Sequence, residues 1–111
     1  MPPPEQPVLV HGDLHFRHVL VDGGAVSGVI DWGDVCRSDP AIDLPLLWSF
    51  VPPKGRAAFL EAYGPLNDAQ LLRARVLAIQ LCAALAHYGR VEGNAGVERE
   101  AVAGLERALC D

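Results

Sequence analysis

The stretch VLVHGDLHFRHVLV, residues 8–21, decides the fold that this sequence predicts. The short apolar run at residues 8–10 predicts a buried strand, whereas the mixed polar residues 11–18 are typical of a loop. A loop that follows directly on a buried strand is rigidly held at one end. We therefore look for functional side chains in residues 11–18.

A β-hairpin follows this loop. Residues 19–21 and 26–30 both favour β structure, and they flank the turn sequence Asp22-Gly23-Gly24. The hairpin brings its two ends together, so Asp31, at the exit, returns to the neighbourhood of the loop.

After the hairpin the chain predicts only helices, which indicates an α+β fold. Asp39-Pro40 is typical of a helix start, and the predicted helix 41–50 is apolar enough to be buried nearly all round. Asn67 and Gln70 form a capping-box pattern that begins a helix ending near Tyr88. Further segments are predicted as a stiff proline leader, a loop, a short helix, a loop and a last amphipathic helix: residues 2–7, 33–38, 55–63, 91–96 and 97–109.

Length and composition limit the possible functions. The 111 residues suit a single domain, residues 1–111, and half of them are apolar. The net charge of −5 argues against nucleic acid as a partner, because a duplex binder needs a basic face. We find no apolar run long enough for a bilayer and no signal peptide, so we expect a cytoplasmic protein. The three cysteines are widely spaced and predicted to be reduced thiols.

Three side chains suggest phosphoryl transfer. Asp13 lies on the loop, His18 follows five residues later, and Asp31 comes after the hairpin. Phosphoryl transfer needs one group to orient and deprotonate the attacking hydroxyl, and others to hold magnesium on the phosphates. The spacing Asp13-x-x-x-x-His18 matches the Asp-x-x-x-x-Asn of protein kinases, with histidine in place of asparagine.

The segments HGDLHFRHVLV (residues 11–21) and GVIDWGDVCRSDPAIDL (residues 28–44) together resemble the signature of the aminoglycoside phosphotransferase and choline kinase family. The resemblance is close over residues 8–50 and loose over the later helices. It implies the mostly helical C-terminal lobe of a protein-kinase-like fold, with the β-hairpin at the catalytic loop. It also implies ATP and Mg²⁺ as cofactors, and a hydroxyl of a small molecule, such as an aminoglycoside-type antibiotic or another small alcohol, as phosphoryl acceptor.

The resemblance also implies roles for single residues. Asp13 is the catalytic carboxylate, Asp31 holds magnesium, and His18 occupies the position of a metal-binding asparagine. Asp43 braces the catalytic loop from a buried helix. Magnesium prefers oxygen ligands, so His18 either binds the metal more weakly than asparagine does or contacts a phosphate or a water.

The sequence also lacks parts that the resemblance leads us to expect. The family's N-terminal lobe carries a phosphate-covering loop and a lysine, but only a proline leader precedes Asp13. The single lysine, Lys54, is far from the expected position, and Gly23-Gly24 lacks the spacing of a phosphate loop. We expect a catalytic lobe without its nucleotide-binding lobe, inactive in isolation. The surface left uncovered would favour homo-oligomers through residues 2–10.

Two other functions are compatible with these residues. The cluster of His11, Asp13, His15 and His18 with Asp31 could hold zinc or manganese in a metal-dependent hydrolase. Alternatively, the chain could be a non-catalytic remnant that binds a partner. His11 is expected to be structural, whereas His15 could equally face solvent or lie near a substrate.

Overall fold

The computed structural model describes residues 7–110, and the strands come first along the chain, as the sequence predicts for an α+β fold. The expected proline leader therefore lies outside the described residues except for Pro7. Three 3₁₀ turns connect the main elements: Phe16–His18, Pro40–Asp43 and Pro53–Gly55. The strands and helices are β1 (Val8–Val10), β2 (Val19–Asp22), β3 (Ala25–Val29), β4 (Cys36–Ser38), α1 (Pro45–Ser49), α2 (Arg56–Tyr63), α3 (Asp68–Val91) and α4 (Ala95–Leu109).

The predicted hairpin is confirmed as the antiparallel pair β2–β3. Gly23 and Gly24 both have positive φ, 59° and 81°, which is the backbone geometry that a tight hairpin turn requires. At the open end, the Ile30 N–H donates to the His18 carbonyl at 2.9 Å and continues the pairing past β3. Asp31 therefore lies beside the loop of residues 11–18.

A second two-stranded sheet pairs β1 with β4 in antiparallel register, Val10 opposite Cys36. The prediction of a loop over residues 33–38 is therefore wrong at β4, whose partner lies too far along the chain to leave a local signal. The prediction of a buried strand at residues 8–10 holds only for Val10, which is 2% exposed, because Leu9 is 73% exposed.

The predicted helix 41–50 is two elements, a 3₁₀ turn and α1, because Pro45 has no N–H to continue a helical ladder. Asp39 caps the first element, as predicted, by accepting from the Ala41 N–H at 2.8 Å. The expected burial is confirmed, since Leu44 and Leu47 are among the most completely buried side chains of the described chain.

The long pair α3 and α4 forms the largest helical contact in the described residues. The capping box of Asn67 and Gln70 is confirmed, with hydrogen bonds of 2.8 and 3.0 Å. The helix passes its predicted end at Tyr88, and α4 begins before residue 97, so half of the predicted loop 91–96 is helical and only residues 92–94 connect the two helices. Small residues let the two helices approach closely, since a Cβ on Gly104 of α4 would lie 3.0 Å from the Cys82 sulfur of α3. Other small residues of the pair are also buried: Ala74 and Ala78 on α3, and Ala101 and Ala108 on α4.

By length and composition, α3 meets the criterion for a membrane-spanning helix, contrary to what the sequence suggested. Its contacts with α1 and α4 are also those of a core helix in a folded domain, which meets the same criterion. The absence of a membrane partner therefore stays a prediction.

Candidate functional site

The loop that carries Asp13 is anchored by Asp43, which lies on the 3₁₀ turn before α1. The Asp43 carboxylate accepts from the backbone N–H of His11 at 2.6 Å and from that of Gly12 at 3.0 Å. A carboxylate that accepts two backbone N–H bonds fixes the direction of the chain at that point. Asp43 thus occupies the bracing position that the family resemblance implied for it.

Gly12 is required by the path of this loop. Its φ is +94°, and a Cβ built there would lie 2.3 Å from the Asp34 carbonyl oxygen. Only glycine meets both conditions, because it has no Cβ and adopts positive φ without strain. The close approach holds the start of the loop against the segment between β3 and β4.

His11 is a structural residue, as expected. Its Nδ1 accepts from the Asp13 N–H at 3.2 Å, so the neutral ring carries its proton on Nε2, which donates to the Ile30 carbonyl at 2.7 Å. The ring also packs against Trp32, with 4.6 Å between centroids. His11 therefore links the loop to the end of the hairpin, and neither of its nitrogens is free to bind a metal.

His18 carries its ring proton on the other nitrogen from His11. Its Nδ1 lies 2.7 Å from the Asp13 carbonyl oxygen, which can only accept, so Nδ1 carries the proton of the neutral ring. The other nitrogen, Nε2, faces the Asp31 carboxylate, with 3.0 Å between Nε2 and Oδ2. Asp31 itself has φ 61°, a left-handed conformation that aspartate tolerates better than most residues.

The structure brings the three predicted site residues together. The Asp13 carboxylate lies 3.8 Å from His18 Nδ1, and His18 contacts Asp31 on its other side. The side chains of Asp13 and Asp31 are 42% and 65% exposed, so a ligand can reach both. Their juxtaposition agrees with the geometry that the hairpin predicts, whereas their catalytic and metal-binding roles stay predictions.

His15 lies under this group. Its ring packs at a tilt against that of His18, with 3.9 Å between centroids, and its Nδ1 accepts from the Arg17 N–H at 3.3 Å. Burial, and then the neighbouring His18, lower the pKa of His15 below its ordinary value. The neutral ring therefore directs its Nε2–H towards Asp13, 3.7 Å away.

The hydrogen bonds of the histidines determine which of their nitrogens remain available to bind a metal. Ligand atoms of Asp13, His15 and His18 come within 4.8 Å of one another, but the only imidazole nitrogen among them with a free lone pair is Nε2 of His18. A hydrolase site with two histidine ligands is therefore not available in this arrangement. Among the described residues, the usable donors here are two carboxylates and one nitrogen.

This donor set fits magnesium. Oxygen ligands lie about 2.1 Å from magnesium in near-octahedral geometry, so neighbouring ligands are about 3.0 Å apart. His18 Nε2 and Asp31 Oδ2 are 3.0 Å apart, which is compatible with that spacing and is also the distance of a direct ion pair when the ring is protonated. Asp31 offers a hard oxygen ligand of the kind that the ion prefers, beside the single nitrogen of His18.

Sequence reasoning did not assign Arg17 a role, although it is the only arginine or lysine in residues 1–36. A single arginine within a loop of histidines and an aspartate is a sequence signal that could have indicated a functional role for Arg17. In the structure Arg17 lies at the middle of the 3₁₀ turn, with its guanidinium over the ring of Tyr88.

Comparisons with known proteins show the family of this chain. A family model described as the phosphotransferase enzyme family matches residues 1–95. The uncharacterized protein YcbJ of Bacillus subtilis (strain 168) is 43% identical over 56 residues, which is 50% of this chain and 18% of that relative. The match thus spans under a fifth of the curated relative's length. No solved structure matches significantly.

Proposed function

Because the chain belongs to the phosphotransferase enzyme family, we propose that it carries the catalytic centre of an ATP-dependent kinase acting on a hydroxyl group of a small molecule. The observation that carries this proposal is the convergence of Asp13, His18 and Asp31 on one exposed face. The braced loop and the hairpin support the further proposal that the fold is the C-terminal lobe of a protein-kinase-like fold.

Asp13 is the proposed catalytic residue. The carboxylate, half exposed and next to a buried histidine, orients the acceptor hydroxyl and takes its proton. The hydroxyl oxygen forms a bond to the γ-phosphorus, and the bond from that phosphorus to the β–γ bridging oxygen breaks. ADP leaves with the electron pair of that bond, and the phosphorylated small molecule is the second product.

Asp31 and His18 are the proposed metal ligands. Magnesium, which the family generally uses with ATP, would supply positive charge to the phosphates at this site. The hydrogen bond from His18 Nδ1 to the Asp13 carbonyl holds Nε2 towards Asp31, so both ligand atoms are oriented in advance. His18 thereby also ties the metal position to the backbone of the catalytic residue.

The acceptor belongs to the class of small alcohols, with aminoglycoside-type antibiotics as one candidate, and the reaction would take place in the cytoplasm, where ATP is supplied. Nucleic acid is not a proposed partner, because the net charge is −5.

A metal-binding experiment tests the proposal. We expect Mg²⁺, titrated calorimetrically into the 111-residue chain, to bind at one site, and Asp31→Asn to weaken binding at least about tenfold by removing a charged ligand. The control, Asp22→Asn, changes an exposed aspartate at the far end of the same hairpin and should leave binding unchanged. Equal affinity in the wild type and Asp31→Asn would contradict the assignment.

ATP turnover by the isolated chain tests the rest of the proposal. The 111 residues contain neither a glycine-rich phosphate loop nor a lysine near Asp13, and positioning of the phosphates provides most of the catalysis in phosphoryl transfer. We therefore propose that the chain alone is inactive. Magnesium-dependent turnover that disappears in Asp13→Ala would show that these residues suffice.

A further inference from the structure

Arg17 lies inside the catalytic loop, four residues after Asp13 and directly before His18. Its side chain is exposed, and the guanidinium carbon lies 5.2 Å from the centroid of the Tyr88 ring. Tyr88 belongs to the last turns of α3, so the contact extends from the loop to the helical part of the fold. The arginine is close enough to His15 to contribute to the lowered pKa of that ring.

The contact with Tyr88 orients the guanidinium without using its hydrogen-bond donors. A cation over an aromatic face is held by the ring's quadrupole, so the N–H groups remain available. Within residues 7–110, no carboxylate forms an ion pair with Arg17, whereas Arg73 pairs with Asp39. Arg17 is thus an exposed cation, held by Tyr88 and without a carboxylate partner in the described chain.

The negative charge of the phosphate donor in the proposed reaction suggests a role for this cation. A polyphosphate chain carries several negative charges, and the site already has two carboxylates, Asp13 and Asp31. The single lysine, Lys54, lies on the separate 3₁₀ turn Pro53–Gly55, and Arg17 is the only arginine or lysine in residues 1–36. Arginine is suited to phosphate because its planar donors bind two oxygens at once.

We propose that Arg17 binds oxygens of the phosphate chain whose terminal group is transferred, and that Tyr88 holds the guanidinium in place for this contact. This inference rests on the proposed kinase function and adds a phosphate-binding residue to it. The shared chemistry is a polyphosphate, whether it comes from a nucleotide or stands alone.

Calorimetric titration of the 111-residue chain with magnesium tripolyphosphate and with MgATP tests the inference. Arg17→Gln should weaken the binding of both ligands at least about tenfold, since it removes a charge-assisted contact. Arg17→Lys, which keeps the charge but loses the planar donors, should lie between the wild type and Arg17→Gln. The control Arg99→Gln, at an exposed arginine of α4, should bind as the wild type does.

Three outcomes would overturn the inference. The wild type could fail to bind tripolyphosphate, or Arg17→Gln could bind it with the same affinity as the wild type. The third outcome is a loss of affinity for MgATP alone, which would place Arg17 at the nucleoside. Titration with Mg²⁺ alone separates this failure from that of the proposed function. If Mg²⁺ binding depends on Asp31 but polyphosphate binding does not depend on Arg17, the inference about Arg17 fails and the proposed function does not.

Discussion

At the scale of single residues, hydrogen bonds to the backbone give each histidine of the loop a different task. His11 uses both nitrogens on the backbone, and His15 uses Nδ1 to cap the 3₁₀ turn. His18 uses Nδ1 on the Asp13 carbonyl and keeps Nε2 for Asp31. In the sequence the three histidines are equivalent as possible metal ligands. In the structure only one of their nitrogens, His18 Nε2, can bind a metal.

Gly12 carries the first prediction at this scale. Gly12→Ala should destabilise the chain by about 2 kcal/mol or more, because the new Cβ meets the Asp34 carbonyl and the residue must keep a positive φ. Urea unfolding measures the loss. Gly33→Ala is the matched control, since nothing lies within 4 Å of its Cβ position and its φ is not positive, so it should be close to neutral. Equal stabilities of the two variants would contradict the account of the loop.

Tyr63 provides a prediction about pH. Partial burial, and then the negative charges of Asp43 and Asp39, raise the pKa of its hydroxyl above the ordinary value of 10.0. As the pH rises past about 10, the unfolded chain therefore releases this proton before the folded chain does, and the free energy of unfolding falls. We expect Tyr63→Phe to lose less stability than the wild type between about pH 9 and pH 11, in urea unfolding. The difference should be small, because Tyr63 is 46% exposed. Parallel losses would show that Tyr63 does not titrate differently in the fold.

At the scale of elements, local patterns predicted what depends on neighbouring residues. The hairpin and the capping box of α3 are specified by turn glycines and by Asn67 with Gln70, and both were predicted. β4 was missed because its pairing with β1 joins residues 26 or more apart in sequence. The helix over 41–50 was predicted as continuous because its apolar residues form an uninterrupted pattern, whereas Pro45 divides it into a 3₁₀ turn and α1. The hairpin predicts that Asp31 lies near Asp13 and His18. The hydrogen bonds that orient the histidine rings depend on atomic positions and could not be predicted from the sequence.

The corner between α3 and α4 gives a prediction for an element pair. A Cβ on Gly89 would lie 2.6 Å from the backbone nitrogen of Glu98 and 3.0 Å from the Asn94 carbonyl. Gly89→Ala should therefore push the helices apart and cost about 2 kcal/mol in urea unfolding. Gly96→Ala, within α4 and free of close contacts, should be neutral or add up to about 1 kcal/mol through helix propensity. A harmless Gly89→Ala would mean that the corner is loosely packed.

At the scale of the whole molecule, large apolar side chains are exposed in several places, two of which bear on association with a second copy. One is the strand end of the fold, where Leu9 and Val26 are exposed. The other is a groove of about 450 Å³ where Ile42 meets Leu72 and Val76 of α3. Leu72 is 63% exposed although it lies on the central helix. Exposed apolar side chains in a groove or on a strand favour contact with another apolar surface.

We predict that the isolated chain self-associates at micromolar concentration. The strand β1 pairs with β4 on one side, so in the described chain this two-stranded sheet offers free edges, and its exposed apolar residues favour pairing with a second copy. Sedimentation velocity over a range of concentrations should show a species larger than a monomer. Leu9→Lys, a charge of the kind that protects edge strands, should shift the population towards the monomer. Leu109→Lys, equally exposed but at the end of α4, should not. A wild-type chain that remains monomeric throughout would mean that the exposed apolar surface is too dispersed to bind a second copy.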